Sequence, residues 1–367
     1  MSTLKNITLM TSLAVAVLAG PSFADQEAIP QLDHVFLIMM ENRSYSEILD
    51  NANAPFINQM AHSANLATNY FAVGHPSLTN YLEVVGGSNF GIANDNYPNW
   101  HNATSNANLN EPITGSGMDA ATPANIAPFN IEIPAAPYTA NTIADQLVSV
   151  GKSWKSYQES LPASGSVDGV NVSDGIYSNL SDASITRSGN LQQLYAVKHN
   201  PFAYFANVQS NTAPNNGLNN VADFTGINGL YADLREGKAP NFSFIAPNQC
   251  HDMHGIDNGS PLCKNDATLL QMGDASVKQL VTTIKASRLW KEGKSAIIVM
   301  WDENDYSASP NQVVAIVDTN YGVKGVMSKQ PYSHFSLLKT LEAGFGLPCL
   351  NHACDSNVNL MSDLFMR

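Results

Sequence analysis

The chain has 367 residues, a formal net charge of −13 and only 13% charged residues, a balance that disfavours a nucleic-acid backbone or an anionic membrane as its main partner. It does not exclude a phosphorylated small molecule, because a bound metal reverses the local field. The length suits one large α/β domain or two small ones, and the abundance of Asn, Ser, Ala and Gly suits an exported protein with long polar loops.

The first residues read as a leader. Lys5 precedes the apolar run LMTSLAVAVLAG, and Ser22-Phe23-Ala24 is a small-x-small cleavage site, which predicts a signal peptide over 1–24 and export to the periplasm or the medium. Residues 25–367 are then the catalytic domain. No later stretch approaches a spanning length, so no stable membrane anchor is expected.

Residues 33–40 (DHVFLIMM) are apolar without helical periodicity and predict a strand covered on both faces, followed by Glu41-Asn42. A helix-like stretch, APFINQMAHSA, follows. After Gly74-His75-Pro76-Ser77, the residues Leu78, Tyr81, Leu82 and Val85 recur at helical spacing; the helix begins near Pro76-Ser77 and ends at Gly86-Gly87. Loop insertions are expected near 88–140 and 160–195, where periodicity is weak. Between them, TIADQLVSVG (142–151) predicts a helix and SWKSYQES a strand. Residues 241–247 (NFSFIAP) are a third buried strand, and its end carries Asn248-Gln249-Cys250-His251-Asp252-Met253-His254. Residues 266–290 read as one long helix. SAIIVMW is a fourth strand that runs into Asp302-Glu303-Asn304-Asp305. VVAIVD (313–318) is a fifth, expected at an edge, and 333–346 is the last helix. The alternation predicts an α/β fold with a mostly parallel central sheet and helices on both faces.

Four cysteines in an exported chain imply two disulfides. Proximity favours Cys250–Cys263 and Cys349–Cys354, although three pairings are open. Thiolate metal binding is the rival, without a CxxC pair to support it.

Open α/β sheets place ligands beyond the carboxyl ends of their strands. Glu41 and Asn42 stand at one such end and Asp302 and Glu303 at another, about 260 residues away, and their oxygens suit one divalent metal ion. Adjacent carboxylates repel, and a cation or a base relieves the repulsion; solvated loop charges are the alternative. Ser77 at a helix N-terminus is placed as a nucleophile toward a phosphate, or as an ordinary N-cap. Thr79 is a further polar candidate, and Asn80 is a candidate for a phosphate oxygen. His251, Asp252 and His254 offer proton transfer, phosphate contact or metal ligation, with Asp252 orienting a ring.

The strings HVFLIMMENRSYSEI, GHPSLTNYLEVVGG, SWKSYQESLP, KHNPFAYF, FIAPNQCHDMHG, IIVMWDEND and YSHFSLLKTLEAGFGLP occur in this order and resemble the phosphoesterase family. That family holds bacterial phospholipases C and exported acid phosphatases within the alkaline phosphatase superfamily. The resemblance runs from about residue 31 to residue 350 and implies an alkaline-phosphatase-like fold. It matches Glu41, Asn42, Asp302 and Glu303 to the ligands of one metal, zinc- or calcium-like. Members can carry two aspartates at the late pair, so Glu303 departs from the pattern. Ser77 matches the nucleophile and His254 a histidine on the phosphate.

The implied function is a metal-dependent phosphomonoesterase working through a phosphoseryl intermediate, on a phosphorylated small molecule or a phospholipid head group. The alternatives are a phospholipase C or other phosphodiesterase on phosphatidylcholine-type lipids, and a non-catalytic exported binding protein. The scattered Ile113, Ile126, Phe129, Ile131 and Ile133 make no lipid-binding helix, which favours a small head group.

Overall fold

Strand β1 (His34–Met40) is the axis of the molecule: every residue from Val35 to Met40 is fully buried, as a strand covered on both faces must be. The computed structural model describes residues 29–90, 95, 139–161, 194–209, 213–256, 263–307 and 309–366. The expected leader and most of the two expected insertions lie outside them, as do Ile113, Ile126, Phe129, Ile131 and Ile133. Among the described residues no helix is long and apolar enough to cross a membrane.

In chain order, β1 is followed by α1 (Tyr45–Ile48), α2 (Pro55–Ser63), β2 (Asn65–Ala67), β3 (Tyr70–Phe71) and α3 (Ser77–Gly86). Then come α4 (Ile143–Ser149), β4 (Trp154–Gln158), α5 (Ala206–Gln209), β5 (Val221–Ala222), α6 (Leu230–Glu236) and β6 (Phe242–Ala246). The remainder is α7 (Asp266–Ala286), α8 (Arg288–Lys291), β7 (Ser295–Trp301), β8 (Ala315–Thr319), β9 (Met327–Ser328), β10 (Tyr332–Ser333) and α9 (His334–Phe345). Eight strands form one sheet in the order β5-β4-β6-β1-β7-β8-β2-β9, and β10 pairs with β3 apart from it. The five strands from β5 to β7 run parallel, and β8 is antiparallel to both β7 and β2.

Two groups of helices flank the sheet. Helix α3 packs on α9 and α4, while α7 packs on α2, α6 and α8. Buried Ile297, Ile298 and Val299 of β7 show what holds the layers together: each such side chain contributes about 1.5–3 kcal/mol through its removal from water. The stop of α3 is steric. Gly87 is left-handed at φ 71°, and a Cβ there would meet Leu350 O at 2.5 Å.

Two expectations need correction. The long helix over 266–290 is two helices, because Ser287 adopts an extended backbone (ψ 157°) and its hydroxyl accepts the Trp290 N–H at 3.3 Å, starting α8 afresh. The fifth strand is not at an edge: β8 lies between β7 and β2. Both proximal disulfides, Cys250–Cys263 and Cys349–Cys354, are formed.

Glu342 on α9 is 1% exposed, and neither of its oxygens has a donor in hydrogen-bonding geometry among the described residues. Burial pushes its carboxyl up to about 9; Leu350 and Gln146 offset this only in part. Because the folded value lies above the unfolded one, the group's contribution is fully present below the unfolded pKa and is lost as pH rises toward about 9. Urea titrations of Glu342→Gln should therefore show a flatter stability curve than the parent between about pH 4.5 and pH 9; parallel curves would contradict the assignment.

Candidate active site

Strands β6, β1 and β7 are adjacent and parallel, so their carboxyl ends open on one edge of the sheet. Met40 stands opposite Trp301, which sends Glu41 and Asp302 out of the sheet side by side. The backbone then ties the three strand ends together. Asp302 N–H donates to Met40 O at 3.0 Å, and Glu41 N–H donates to Asp252 O, beyond β6, at 2.9 Å. Asn42 turns through the left-handed region at φ 36° and donates its N–H to Asp302 Oδ1 at 3.1 Å. His334 pins the other side of the same residue by donating from Nε2 to Asp302 O at 2.6 Å. Burial holds His334 neutral, with its pKa down at about 4, so Nδ1 is left to accept from the Tyr70 hydroxyl at 3.1 Å.

Ser77 is the first residue of α3 and fully buried. Its Oγ lies 3.1 Å from Glu41 Oε2, 3.1 Å from Glu303 Oε1 and 3.4 Å from Asn42 Oδ1. One hydroxyl hydrogen cannot serve three acceptors at once. Asn80, one turn along the helix, donates to Gly74 O at 2.9 Å, reaches Glu303 Oε2 at 3.4 Å and accepts the Gly74 N–H at 3.0 Å. It therefore fixes the loop before the helix as well as facing a carboxylate. His75 Nδ1 bonds the same Glu303 Oε2. Thr79 turns back to Pro76 O at 2.8 Å.

Three carboxyl groups are concentrated here. Glu41, Asp302 and Glu303 are all 1% exposed or less. Burial pushes the Glu41 carboxyl up to about 8, against the pull of Lys198. Burial and then Glu41 raise Asp302, while burial raises Glu303 against the pull of His75. Glu41 Oε1 and Asp302 Oδ2 are buried with no hydrogen-bond partner among the described residues. Orphaned carboxyl oxygens beside an amide and a hydroxyl oxygen fit a divalent cation, and Glu41, Asn42, Ser77, Asp302 and Glu303 are the residues within its reach. They are not gathered into a closed cage: among the described residues no group of three His, Cys, Asp or Glu side chains has that arrangement.

Lys198 supplies the positive charge. Its Nζ lies 3.3 Å from Ser77 Oγ, 2.9 Å from Asp95 Oδ2 and 3.3 Å from His254 Nε2. Burial opposes its charge, but Asp95 and Glu41 outweigh that and keep it protonated. His254 donates from Nδ1 to Gly255 O at 2.8 Å, and burial followed by Lys198 lowers its pKa to about 4. The neutral ring thus presents an unprotonated Nε2, which accepts from Lys198. Asp252 Oδ1 accepts the His254 N–H at 2.7 Å and orients that loop. His251 faces elsewhere: its Nδ1 meets Glu159 Oε1 at 2.8 Å, and it lines a separate cavity with Asp223 and Tyr231.

Two central residues, Lys198 and His199, received no role in the sequence reading although KHNPFAYF contains both. They sit on a short 3₁₀ turn (Val197–His199), outside the strand-end pattern that marked the others. His199 stacks on Tyr81 at 5.2 Å between ring centroids, and its nitrogens stand 3.0 Å from Glu41 Oε1 and 3.3 Å from Asp252 Oδ2. The first contact is close but lacks hydrogen-bond alignment, which leaves both atoms orphaned. Burial keeps His199 neutral. Asp95 is equally telling. Its Oδ1 accepts the Leu78 N–H at 3.0 Å and its Oδ2 the Lys198 ammonium, so a carboxylate rests on the two donors beside Ser77. Two donors converge there, in a geometry that could also receive an oxyanion.

The model of the phosphoesterase family matches residues 47–348. The chain is similar to the phosphatidylinositol-3-phosphatase of Mycobacterium tuberculosis, 27% identical over 90% of this chain and 82% of that protein. It is also similar to the phosphate-repressible acid phosphatase of Penicillium chrysogenum, 25% identical over 90% of this chain but only 62% of that protein. Among solved structures, a Bacteroides thetaiotaomicron protein from a glycosaminoglycan-metabolism locus shares the fold, with a TM-score of 0.51 at 11% identity over 92% of this chain and 82% of that one.

If Asp95 occupies an oxyanion position, removing its charge frees Lys198 and the Leu78 N–H for an added anion. Calorimetry with inorganic phosphate should show Asp95→Asn binding roughly three- to tenfold tighter than the parent. Weaker binding would mean that Asp95 holds the site open rather than filling it.

Proposed function

The chain belongs to the phosphoesterase family and is a phosphoric-ester hydrolase, and we propose that it is an exported, metal-dependent phosphomonoesterase that works through a phosphoseryl intermediate on Ser77. The observation that carries this reading is the surrounding of Ser77 Oγ: two carboxylates at 3.1 Å, an ammonium at 3.3 Å and an oxyanion position at the N-terminus of α3.

In this reading the phosphate takes the place of the Asp95 carboxylate, on Lys198 Nζ and the Leu78 N–H. Ser77 Oγ attacks phosphorus in line, and its proton has acceptors in Glu41 Oε2 and Glu303 Oε1. A bond from Oγ to phosphorus forms as the bond to the alcohol oxygen breaks, and the alcohol leaves with a proton. Water then cleaves the phosphoserine and releases inorganic phosphate. Lys198 and the helix terminus offset charge on the phosphoryl oxygens, the largest contribution expected of the protein itself in such a reaction. His254 and Asp252 keep Lys198 aimed at Ser77. His75 and Asn80 hold one Glu303 oxygen, so that the other faces the hydroxyl.

A divalent cation held by Glu41, Asn42, Asp302 and Glu303, with Ser77 in reach, would lower the pKa of the Ser77 hydroxyl and neutralise phosphate charge. Its binding would also relieve the repulsion among the three buried carboxylates.

The substrate class is a phosphate monoester, of a small molecule or of a lipid head group; the latter has support from the name of the mycobacterial relative. Ser77→Ala should lower turnover of p-nitrophenyl phosphate by at least about a thousandfold while elemental analysis still finds the metal. Turnover near the parental rate in this variant would remove Ser77 from the chemistry.

A further inference from the structure

Tyr306 is the one aromatic side chain with large exposure among the described residues. It is 55% exposed, whereas the other described phenylalanine, tyrosine and tryptophan residues are buried or partly buried. It stands next to the active site. Its ring stacks on His75, with 3.9 Å between centroids and 25° between planes. His75 is 5% exposed and bonds through Nδ1 to Glu303 Oε2, while Glu303 Oε1 lies 3.1 Å from Ser77 Oγ. One imidazole and one carboxylate therefore separate the Tyr306 ring from Ser77. Burial, then Glu303, Asp95 and Asp302, raise its hydroxyl above the usual tyrosine value, so the ring lies in the field of the groups around Ser77.

The local backbone holds the ring there. Tyr306 adopts φ 64°, a left-handed conformation that is uncommon for a bulky side chain, and its N–H donates to Asn304 Oδ1 at 2.9 Å. The segment that leaves β7 with Glu303 thus also brings Tyr306 onto His75. Because His75 covers one face of the ring, the exposure belongs to the other face and the hydroxyl edge. A ring already fixed in place costs little further ordering when a ligand arrives, and it prefers another flat ring in offset contact.

We infer that Tyr306 is a specificity-determining residue, and that the substrate is a phosphomonoester whose leaving alcohol carries a planar aromatic ring one or two atoms beyond the phosphate, received on the exposed Tyr306 face. The inference rests on the phosphomonoesterase reading for the place of the phosphate, beside Ser77 on the donors that hold Asp95. It adds the selectivity: a saturated ring of the same size is more apolar but cannot lie flat on the tyrosine.

The test separates the two claims. Calorimetry on the purified protein compares 2-phenylethylphosphonate with 2-cyclohexylethylphosphonate, isosteres of benzyl and cyclohexylmethyl phosphate whose P–C bond is not hydrolysed. Burial alone would favour the cyclohexyl ligand, so the expected preference of about three- to tenfold for the phenyl ligand reads the ring contact. Tyr306→Phe should keep that preference. Tyr306→Asn, a residue that tolerates the left-handed backbone, should bring the pair to parity. Equal affinities in the parent, a preference that survives Tyr306→Asn, an equal loss for both ligands in that variant, or no binding of either at millimolar concentration would overturn the inference. Turnover of p-nitrophenyl phosphate by the parent protein reads the phosphomonoesterase assignment independently: its absence, with the phenyl preference intact, would sink that assignment and leave the aromatic subsite standing.

Discussion

The burial of three carboxyl groups at the carboxyl edge of the sheet is the constraint on which the site is built. Glu41, Asp302 and Glu303 leave β1 and β7 at points that the parallel register places side by side, and burial raises the pKa of all three. Removing carboxylates from water is costly unless a cation or hydrogen-bond donors replace the lost solvent. The chain supplies some relief: the Asn42 N–H, the Ser77 hydroxyl, His75, Asn80 and Lys198 all converge there. It does not supply enough, since Glu41 Oε1 and Asp302 Oδ2 remain orphaned among the described residues. In the proposed function a divalent cation makes up this shortage and polarises the Ser77 oxygen.

Much of this was legible in the sequence because the physics there is local. A run such as HVFLIMM has no helical period and must be covered on two faces; β1 is covered so. The i, i+3, i+4, i+7 spacing after Ser77 gave α3, and with it a hydroxyl on a helix N-terminus. The α/β architecture with its mostly parallel sheet followed from the alternation of such elements. The paired positions of Glu41 and Asp302 were readable because buried parallel strands deliver their ends to one edge.

What escaped was non-local or too short to carry a period. Strands β2, β3, β5, β9 and β10 are two or three residues long, and pairing rather than propensity makes them strands. Lys198 and His199 lie on a 3₁₀ turn whose importance appears only when it folds against Ser77 and Glu41. His251 and His254 look equivalent in the string H-D-M-H. The difference between them is set by distant partners: Glu159 draws one ring aside, while Gly255 O and Lys198 fix the other. Asp95 could not be recognised as an anion on a helix terminus from its sequence neighbours. The His254 ring meets Lys198 at 3.3 Å beside Ser77, while His251 stands away from it.

The account stands or falls on Ser77 becoming covalently bonded to phosphorus. The direct measurement is to mix the purified protein with p-nitrophenyl phosphate, quench it in acid within the first turnovers, digest it and locate added phosphate by mass spectrometry. The account predicts phosphate on the peptide containing Ser77 and on no other residue of the site. Phosphate on a histidine such as His254, or rapid turnover with no trapped phosphoprotein at any quench time, would contradict it.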